Sequence, residues 1–570
     1  MKRQRILTGA LALLAALASL NVGPTPVAHA ATIIVNTTED ELNSDGACSL
    51  REAIQAANTD TAVDGCTAGS GADTITLPAG FYTLTIAGAG EDDNATGDLD
   101  ITDDLTINGD PGNTIIQAGT NSTNGIDRVL DVHSGAVEMN YLWIEYGRTP
   151  GTPGEMDGGG IRHLYGTLTL NGCYVASNTA DWRGGGIYNS GGTLTLNNST
   201  VGYNTAELGG GILDQTWDIV TLNNSAVSGN TAYEGGGMRN LGTLTLDNST
   251  VSANTAGRHG GGIYNSGTLT LNNSTVGYNT ADSDHDLSGN GGGIWNDGPL
   301  DLYNSTVADN TAIYGGGIYN NGDSTVILSR STVADNGCAY SGGGIYNDDP
   351  LAILILHMST VNGNDAGMGH GGGIYNSGGD LSLDKCTVSG NTSGKSGGGI
   401  YTAGPLWLEF TTIASNTADV DGDFSGDGGG IYVSSGMAET RNTIIGDNQD
   451  FDSQAPDCSG TLTSQGYNLL EDTTGCTFAP TTGDITGWDP NLGALGDNGG
   501  PTWTHALAAQ SPAIEQIDDG TSGCQACVSV DQRGYLRACG AGYGGFSCDI
   551  GAYEYDTKAG FFIYLPLVLR

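Results

Sequence analysis

Short runs that alternate aliphatic and polar residues recur along most of this chain, punctuated by Gly and Asn, and nowhere does apolar spacing of three and four run long enough for a helix within them. The stretch from Gly260 to Ala281, GGGIYNSGTLTLNNSTVGYNTA, shows the unit. Ile263 and Tyr264 follow the glycines, Thr268 to Leu271 alternates with a period of two, and Asn272-Asn273 turns the chain into Ser274-Thr275-Val276. Gly-Gly-Gly followed by Ile, once by Met, occurs eleven times from Gly158 to Ile431, at intervals of 24 to 31 residues. A fixed period of this size marks stacked units that complete one another's cores.

These features predict an all-β fold, a right-handed parallel β-helix with three short strands per rung and Ile263, Leu269, Leu271 and Val276 facing inward. The Ile after each glycine triplet stacks into an internal ladder. Asn178, Asn204, Asn230, Asn254, Asn279, Asn310, Asn336, Asn364, Asn391 and Asn416 recur at one corner, placed to hydrogen-bond from rung to rung. Eleven rungs at about 4.8 Å make a rod of roughly 50 Å, which Asp98 to Gly147 and Asn442 to Leu470 would lengthen. Ile318 is expected inside, whereas Asn320, just past its strand, is expected to tolerate a carboxylate.

Lys2, Arg3 and Arg5, an apolar run from Ile6 to Leu20 and Ala28-His29-Ala30 read as a secretory signal peptide over residues 1–30, too short to span a membrane. Its removal leaves 15 basic residues against 63 acidic ones, a formal charge of −48. Such a polyanion repels nucleic acid and anionic lipid, so neither is an expected partner. Export also favours disulfides among the eleven cysteines. Cys48 and Cys66, and Cys458 and Cys476, form two groups with a spacing of 18 residues, and Cys524, Cys527, Cys539 and Cys548 form a third. The CxxC of Cys524 and Cys527 has neither a thioredoxin-like context nor four convergent zinc ligands, so the third group also reads as structural disulfides, of open connectivity. Cys173 and Cys386 stand where other repeats have Ser and read as buried free thiols.

From Ala47 to Asn58 the chain reads ACSLREAIQAAN. Ser49 and Glu52 form a capping box, Leu50, Ala53, Ile54 and Ala57 share a face, and the helix suits the open end of a β-helix as a cap over residues 31–72. The string resembles the N-terminal CSLREA module of exported bacterial repeat proteins. The main β-helix then covers 73–488, with its most regular repeats at 158–441. Past it, Asp489-Pro490-Asn491-Leu492-Gly493, Gly499-Gly500-Pro501-Thr502, Ser511-Pro512-Ala513-Ile514, Asp531-Gln532-Arg533-Gly534 and Cys548-Asp549-Ile550-Gly551-Ala552-Tyr553-Glu554 resemble a choice-of-anchor Q domain, giving a C-terminal module at 489–556. The repeats are similar to those of polymorphic outer-membrane proteins, whose members include adhesins. An apolar tail, 557–570, is too short to span and lacks a sortase motif.

Three patterns carry candidate chemistry. Tyr264, Trp295, Tyr319, Tyr346, Tyr375, Tyr401 and Tyr432, with Tyr188 earlier, follow the internal Ile and so face outward. They form either an aromatic strip that binds a long glycan or cross-strand stacks that stabilise the sheet. Two insertions carry Asp282, Asp284 and Asp286, and Asp419, Asp421 and Asp423. Their alternate carboxylates suit calcium, although Leu287 and Phe424 break the EF-hand order and a solvated acidic loop is the alternative. Asn58-Thr59-Asp60, Asp103-Asp104 and Gly369-His370-Gly371 resemble pieces of galacturonan hydrolases, but many rungs are expected to separate them, too far for an acid and a base to flank one glycosidic bond. The Asn-Ser-Thr triplets at Asn198, Asn248, Asn273 and Asn304 fall at a rung corner and read as turns. Together these readings point to a non-catalytic scaffold, secreted or at the cell surface, whose partners are extracellular glycans or a neighbouring cell. A polysaccharide lyase or hydrolase on a pectin-lyase-like fold is the alternative.

Overall fold

The computed structural model describes residues 30–149, 151, 156–422, 425–451, 453–521, 523–525, 528–537 and 547–555. Residues 1–29 of the signal segment, the apolar tail, Cys527, Cys539, Asp423 and Phe424 lie outside them. The chain is a parallel β-solenoid with a single helix among the described residues. The strands that begin at the internal Ile and those of the Thr-Leu-Thr-Leu type belong to one 30-stranded ladder, and the strands of the Thr-Val type form a 16-stranded second sheet. Sixteen strands at about 4.8 Å give a rod of roughly 70 Å, longer than the regular repeats alone would make.

Pairing is in register from rung to rung: Ile263 pairs with Ile294, Ile294 with Ile318 and Ile318 with Ile345. Ile263, Leu269, Leu271 and Val276 are completely buried in one continuous core. The glycine triplet is the corner that allows this stacking. Gly315 has φ +61, and a Cβ on Gly317 would lie 2.6 Å from the carbonyl oxygen of Gly344 on the next rung and 3.0 Å from Asn336. Backbones approach there more closely than any side chain permits. The Asn-Ser-Thr corners are turns as expected, with Asn198, Asn248, Asn273 and Asn304 at φ 49 to 50, in the left-handed region.

The corner Asn ladder forms as expected. Asn279 donates through Nδ2 to Asn310 Oδ1 at 2.9 Å and to the carbonyl of Val251, and its backbone N–H meets Asn310 Oδ1 at 3.0 Å. A second ladder runs through Asn240, Asn265, Asn296, Asn320, Asn347 and Asn376, each Nδ2 donating to the next Oδ1 at 2.6 to 2.8 Å. Asn320 therefore faces inward and is fully buried, which corrects the expectation that it tolerates a carboxylate. Strand parity places it on the side of Ile318, because the strand includes it rather than stopping before it. A third ladder uses Ser: Ser225, Ser249, Ser274, Ser305 and Ser331 accept from the backbone N–H of the preceding rung's equivalent residue at 3.0 to 3.1 Å. Cys173 and Cys386 occupy this ladder as buried free thiols, and Cys338 is a third elsewhere in the rod. Disulfides join Cys48 to Cys66, Cys458 to Cys476 and Cys524 to Cys548.

The helix Leu50–Thr59 starts with the reciprocal Ser49 and Glu52 capping bonds, and Leu50, Ala53, Ile54 and Ala57 merge with the core of the rod. Buried Arg51 pairs with Asp40 at 2.7 Å and donates to the carbonyls of Gly97 and Asp98 at 2.8 Å, which fixes the helix across the rod's end. At the other end, the described residues between 490 and 555 fold back along the second sheet. Gln532 accepts from Thr387 Oγ1 at 2.6 Å and donates to Thr360 Oγ1 at 2.8 Å, and Thr412 Oγ1 accepts from the Ala552 N–H at 3.0 Å. These threonines would otherwise line the outer face of successive rungs, yet all three are buried. Ile517, Cys524, Cys548 and Ile550 close a small second core over Phe410, Ile444 and Leu469 of the rod.

Candidate functional site

Register places the expected aromatics in one column: Tyr264, Trp295, Tyr319, Tyr346, Tyr375, Tyr401 and Tyr432 pair in turn across seven successive strands. Their rings stack in two runs, Tyr264 on Trp295 and Tyr319 through Tyr346, Tyr375 and Tyr401 to Tyr432. Centroids lie 4.2 Å apart for Tyr264 and Trp295, 5.0 Å for Tyr319 and Tyr346, 4.6 Å for Tyr346 and Tyr375, 4.8 Å for Tyr375 and Tyr401, and 5.3 Å for Tyr401 and Tyr432, all within about 20° of parallel. Each such pair contributes about 0.5 to 1.5 kcal/mol beyond its buried area. The faces that would stack on sugar rings are thus largely occupied by neighbouring rings, and Trp295 and Tyr319 are only 7 % and 9 % exposed.

A second row that the repeat reading did not single out flanks the column. His259 stacks on Trp295, Tyr314 stacks on Tyr340, and His370 lies 4.8 Å from the ring of Tyr401. Burial, helped by Arg258, pushes the His259 imidazole down to about 4, so it stays neutral and joins the aromatic surface. Burial raises the phenols of Tyr264, Tyr319, Tyr346, Tyr375 and Tyr432 above their ordinary value, which keeps them as hydroxyls, and Tyr319 Oη donates to Asp348 at 2.8 Å.

Toward the N-terminal end the same column changes chemistry, through Arg239, Leu213, Tyr188 and Arg162 to Asp131 and Asp100. Here Asp92, Asp100, Asp131 and His133 bring one ligand atom each to within 4.8 Å of the others. Sequence spacing concealed this cluster because its members come from different rungs of the less regular segment. Arg128 pairs with Asp98 at 2.8 Å and Asp131 at 3.2 Å, and Arg162 also pairs with Asp131. Burial raises the carboxyls of Asp98 and Asp100, while the Asp100 hydrogen bond raises the His133 imidazole. Asp100 and Asp131 are fully buried, Asp131 under the Arg128 and Arg162 guanidinium groups and Asp100 against His133, and they lie closer together than the roughly 6.5 to 9.5 Å an inverting glycosidase needs to admit water. The arrangement resembles a buried ion network that ties the capped end together. Of the hydrolase-like pieces, Asn58 is nearer to Asp103 than expected, since it binds the Asp100 carbonyl and the Thr102 N–H at 2.7 and 3.0 Å. His370 lies far along the rod beside Tyr401.

Asp282, Asp284 and Asp286 converge to within 4.8 Å, but part of their capacity is used locally. The Ser288 N–H donates to Asp286 at 2.8 Å and Asp282 at 3.2 Å, and the Asp286 N–H donates to Asp284. In the second insertion Asp419 is buried and Asp421 is exposed. The first two carboxylates of the insertions thus match in burial, with Asp282 buried like Asp419 and Asp284 exposed like Asp421.

Comparison with known proteins finds limited similarity. A family model for the Chlamydia polymorphic membrane protein repeat matches residues 385–403, a stretch containing one glycine corner. The crystal structure of pectate lyase Pel9A is similar at 14% sequence identity, over 93% of this chain and 97% of that chain, with a TM-score of 0.20. No curated protein matches the chain. No described helix is long and apolar enough to cross a membrane.

Proposed function

We propose that this protein is an exported, non-catalytic β-helical scaffold, displayed at the cell surface or secreted, that contacts extracellular glycans or a neighbouring cell. The observation that carries this reading is the use of its polar and aromatic side chains. Asn, Ser and Tyr, the residues a binding cleft would deploy, are spent on ladders that run from rung to rung, which makes a rigid rod. Such a rod holds surface groups at fixed spacing over a long distance. The matched repeat of polymorphic membrane proteins supports surface display of this kind. In the same reading residues 1–30 are removed on export, 31–72 cap the rod and 489–556 are an anchor-type module.

The lyase or hydrolase alternative is weaker on chemical grounds. Asp100 and Asp131 are buried, Asp131 held by Arg128 and Arg162 and Asp100 by His133, which leaves no acid and base flanking an open substrate path there. A screen of the purified mature chain against a glycan panel, scoring retention and new reducing or unsaturated ends, tests both readings. Retention without new ends is expected, and product formation would overturn the non-catalytic reading.

A further inference from the structure

Near the C-terminal end of the rod, the outer face of the Thr-Leu-Thr-Leu type strands carries a groove of about 490 Å³. Its floor is set by register. Trp407 is paired with Glu439 on the next rung, and Asp384, Glu409 and Arg441 follow one another in the adjoining outward column. Tyr467 and Gln465 close one end, and Gly523 of the returning C-terminal segment stands beside Glu409. Trp407 is 36 % exposed, and no aromatic partner covers its indole among the described residues. In this respect it differs from every ring of the stacked column.

The charges in the groove are matched with one exception. Asp384 is held by Lys385 at 2.8 Å and by His357 at 2.8 Å, and Glu409 by Arg441 at 2.5 Å. Glu439 is half-buried beside the indole and has no hydrogen-bond or ion-pair partner among the described residues. An open ring face next to one unmatched carboxylate calls for a ligand with an apolar face and a single positive charge, since cations are attracted both to carboxylates and to the faces of Trp. A uronate would bring a further negative charge to a site that already has one in excess.

We infer that this groove binds an amino-sugar unit of a glycan, with the C–H face of the pyranose on Trp407, its ammonium on Glu439 and its hydroxyls within reach of Arg441, Gln465 and Tyr467. The inference rests on the reading of the rod as a glycan-contacting scaffold and names where, and by what sugar, that contact is made.

Calorimetric titration of the full mature chain with a tetrasaccharide of glucosamine tests it, alongside its N-acetylated form, a tetragalacturonate and tetralysine. The glucosamine tetramer is expected to bind one per chain, about tenfold tighter than the N-acetylated form. Trp407→Ala should weaken it by about tenfold, and Glu439→Gln should remove the preference over the N-acetylated form, with both variants melting like the wild type. Glu439→Gln also serves should Trp407→Ala fail to fold. Equal binding by both variants, or tetralysine or tetragalacturonate binding as tightly as glucosamine, overturns the assignment. A different glycan retained equally by wild type and Trp407→Ala would overturn the groove and leave the scaffold reading standing, whereas no glycan retained at all would overturn both.

Discussion

Asn320→Asp tests the inner ladder most directly, because it changes one nitrogen to oxygen without altering shape. In the native ladder Asn320 Oδ1 accepts from Asn296 at 2.8 Å and from Ser324 at 2.6 Å, and its Nδ2 donates to Asn347 Oδ1 at 2.8 Å. An ionised Asp keeps the first two bonds and turns the third into two oxygens face to face, at a cost of about 1 to 3 kcal/mol for the orphaned acceptor. The same ladder already contains a natural Asp. Asp214 accepts from Asn189 at 2.8 Å, and burial lifts its carboxyl from 3.8 to about 7. An equal shift at position 320 is worth about 4 kcal/mol when the group is fully ionised. The folded pKa is raised, so the penalty is absent below the unfolded value of about 3.9 and complete above about 7. Protonated Asp also regains an O–H donor for Asn347. Thermal melts of Asn320→Asp should therefore fall well below wild type at pH 8 and recover about half of that loss by pH 5.5, still above the sequence pI of about 4.1. Thr268→Asp, at an exposed outward position, should stay close to wild type at both pH values. A variant at position 320 that melts like wild type at pH 8, or whose deficit grows on acidification, would refute the inner ladder.

Gly317→Ala should cost several kcal/mol and lower the melting temperature of the rod clearly, because its Cβ meets backbone that cannot yield; an unchanged melt would show that the corner can relax. Gln532→Leu removes the links to Thr360 and Thr387 and should make the C-terminal segment the first site cut in limited proteolysis while the rod remains intact, as judged by mass spectrometry of the fragments. Burial pushes Cys173 up to about 11 and Cys338 and Cys386 up to about 12, so peptide mapping should find all three unmodified by iodoacetamide at pH 8 in the native protein and modified after denaturation. If the acidic insertions hold calcium, the melting temperature should rise with calcium and the rise should vanish in the Asp284→Ala, Asp421→Ala double variant; a rise that persists there assigns the ion elsewhere.

The repeat, the parallel register, the inward Ile and Leu positions, the corner Asn ladder and the capping helix were all legible in the sequence. Each depends on local pattern: a period of two along a strand, a fixed interval between rungs, or a capping residue and its partner three positions on. Asn320 was misplaced only because the strand was ended one residue early, and parity carried through would have put it inside. What the sequence left open depends on which atoms meet across rungs or across the whole chain. Outward parity was correct for the aromatic column, yet whether rings turn their faces to solvent or to one another is decided by the 4.2 to 5.3 Å stacking distances, which a residue string does not contain. The Asp100, Asp131 and Arg162 cluster joins three irregularly spaced segments, and Gln532 reaches threonines 145 and 172 residues away in the chain. The groove at Trp407 and Glu439 exists only because two rungs place them side by side and the C-terminal segment returns along the rod. Local periodicity determined the solenoid, and long-range closure of the chain decided which of its surfaces remain open to a ligand.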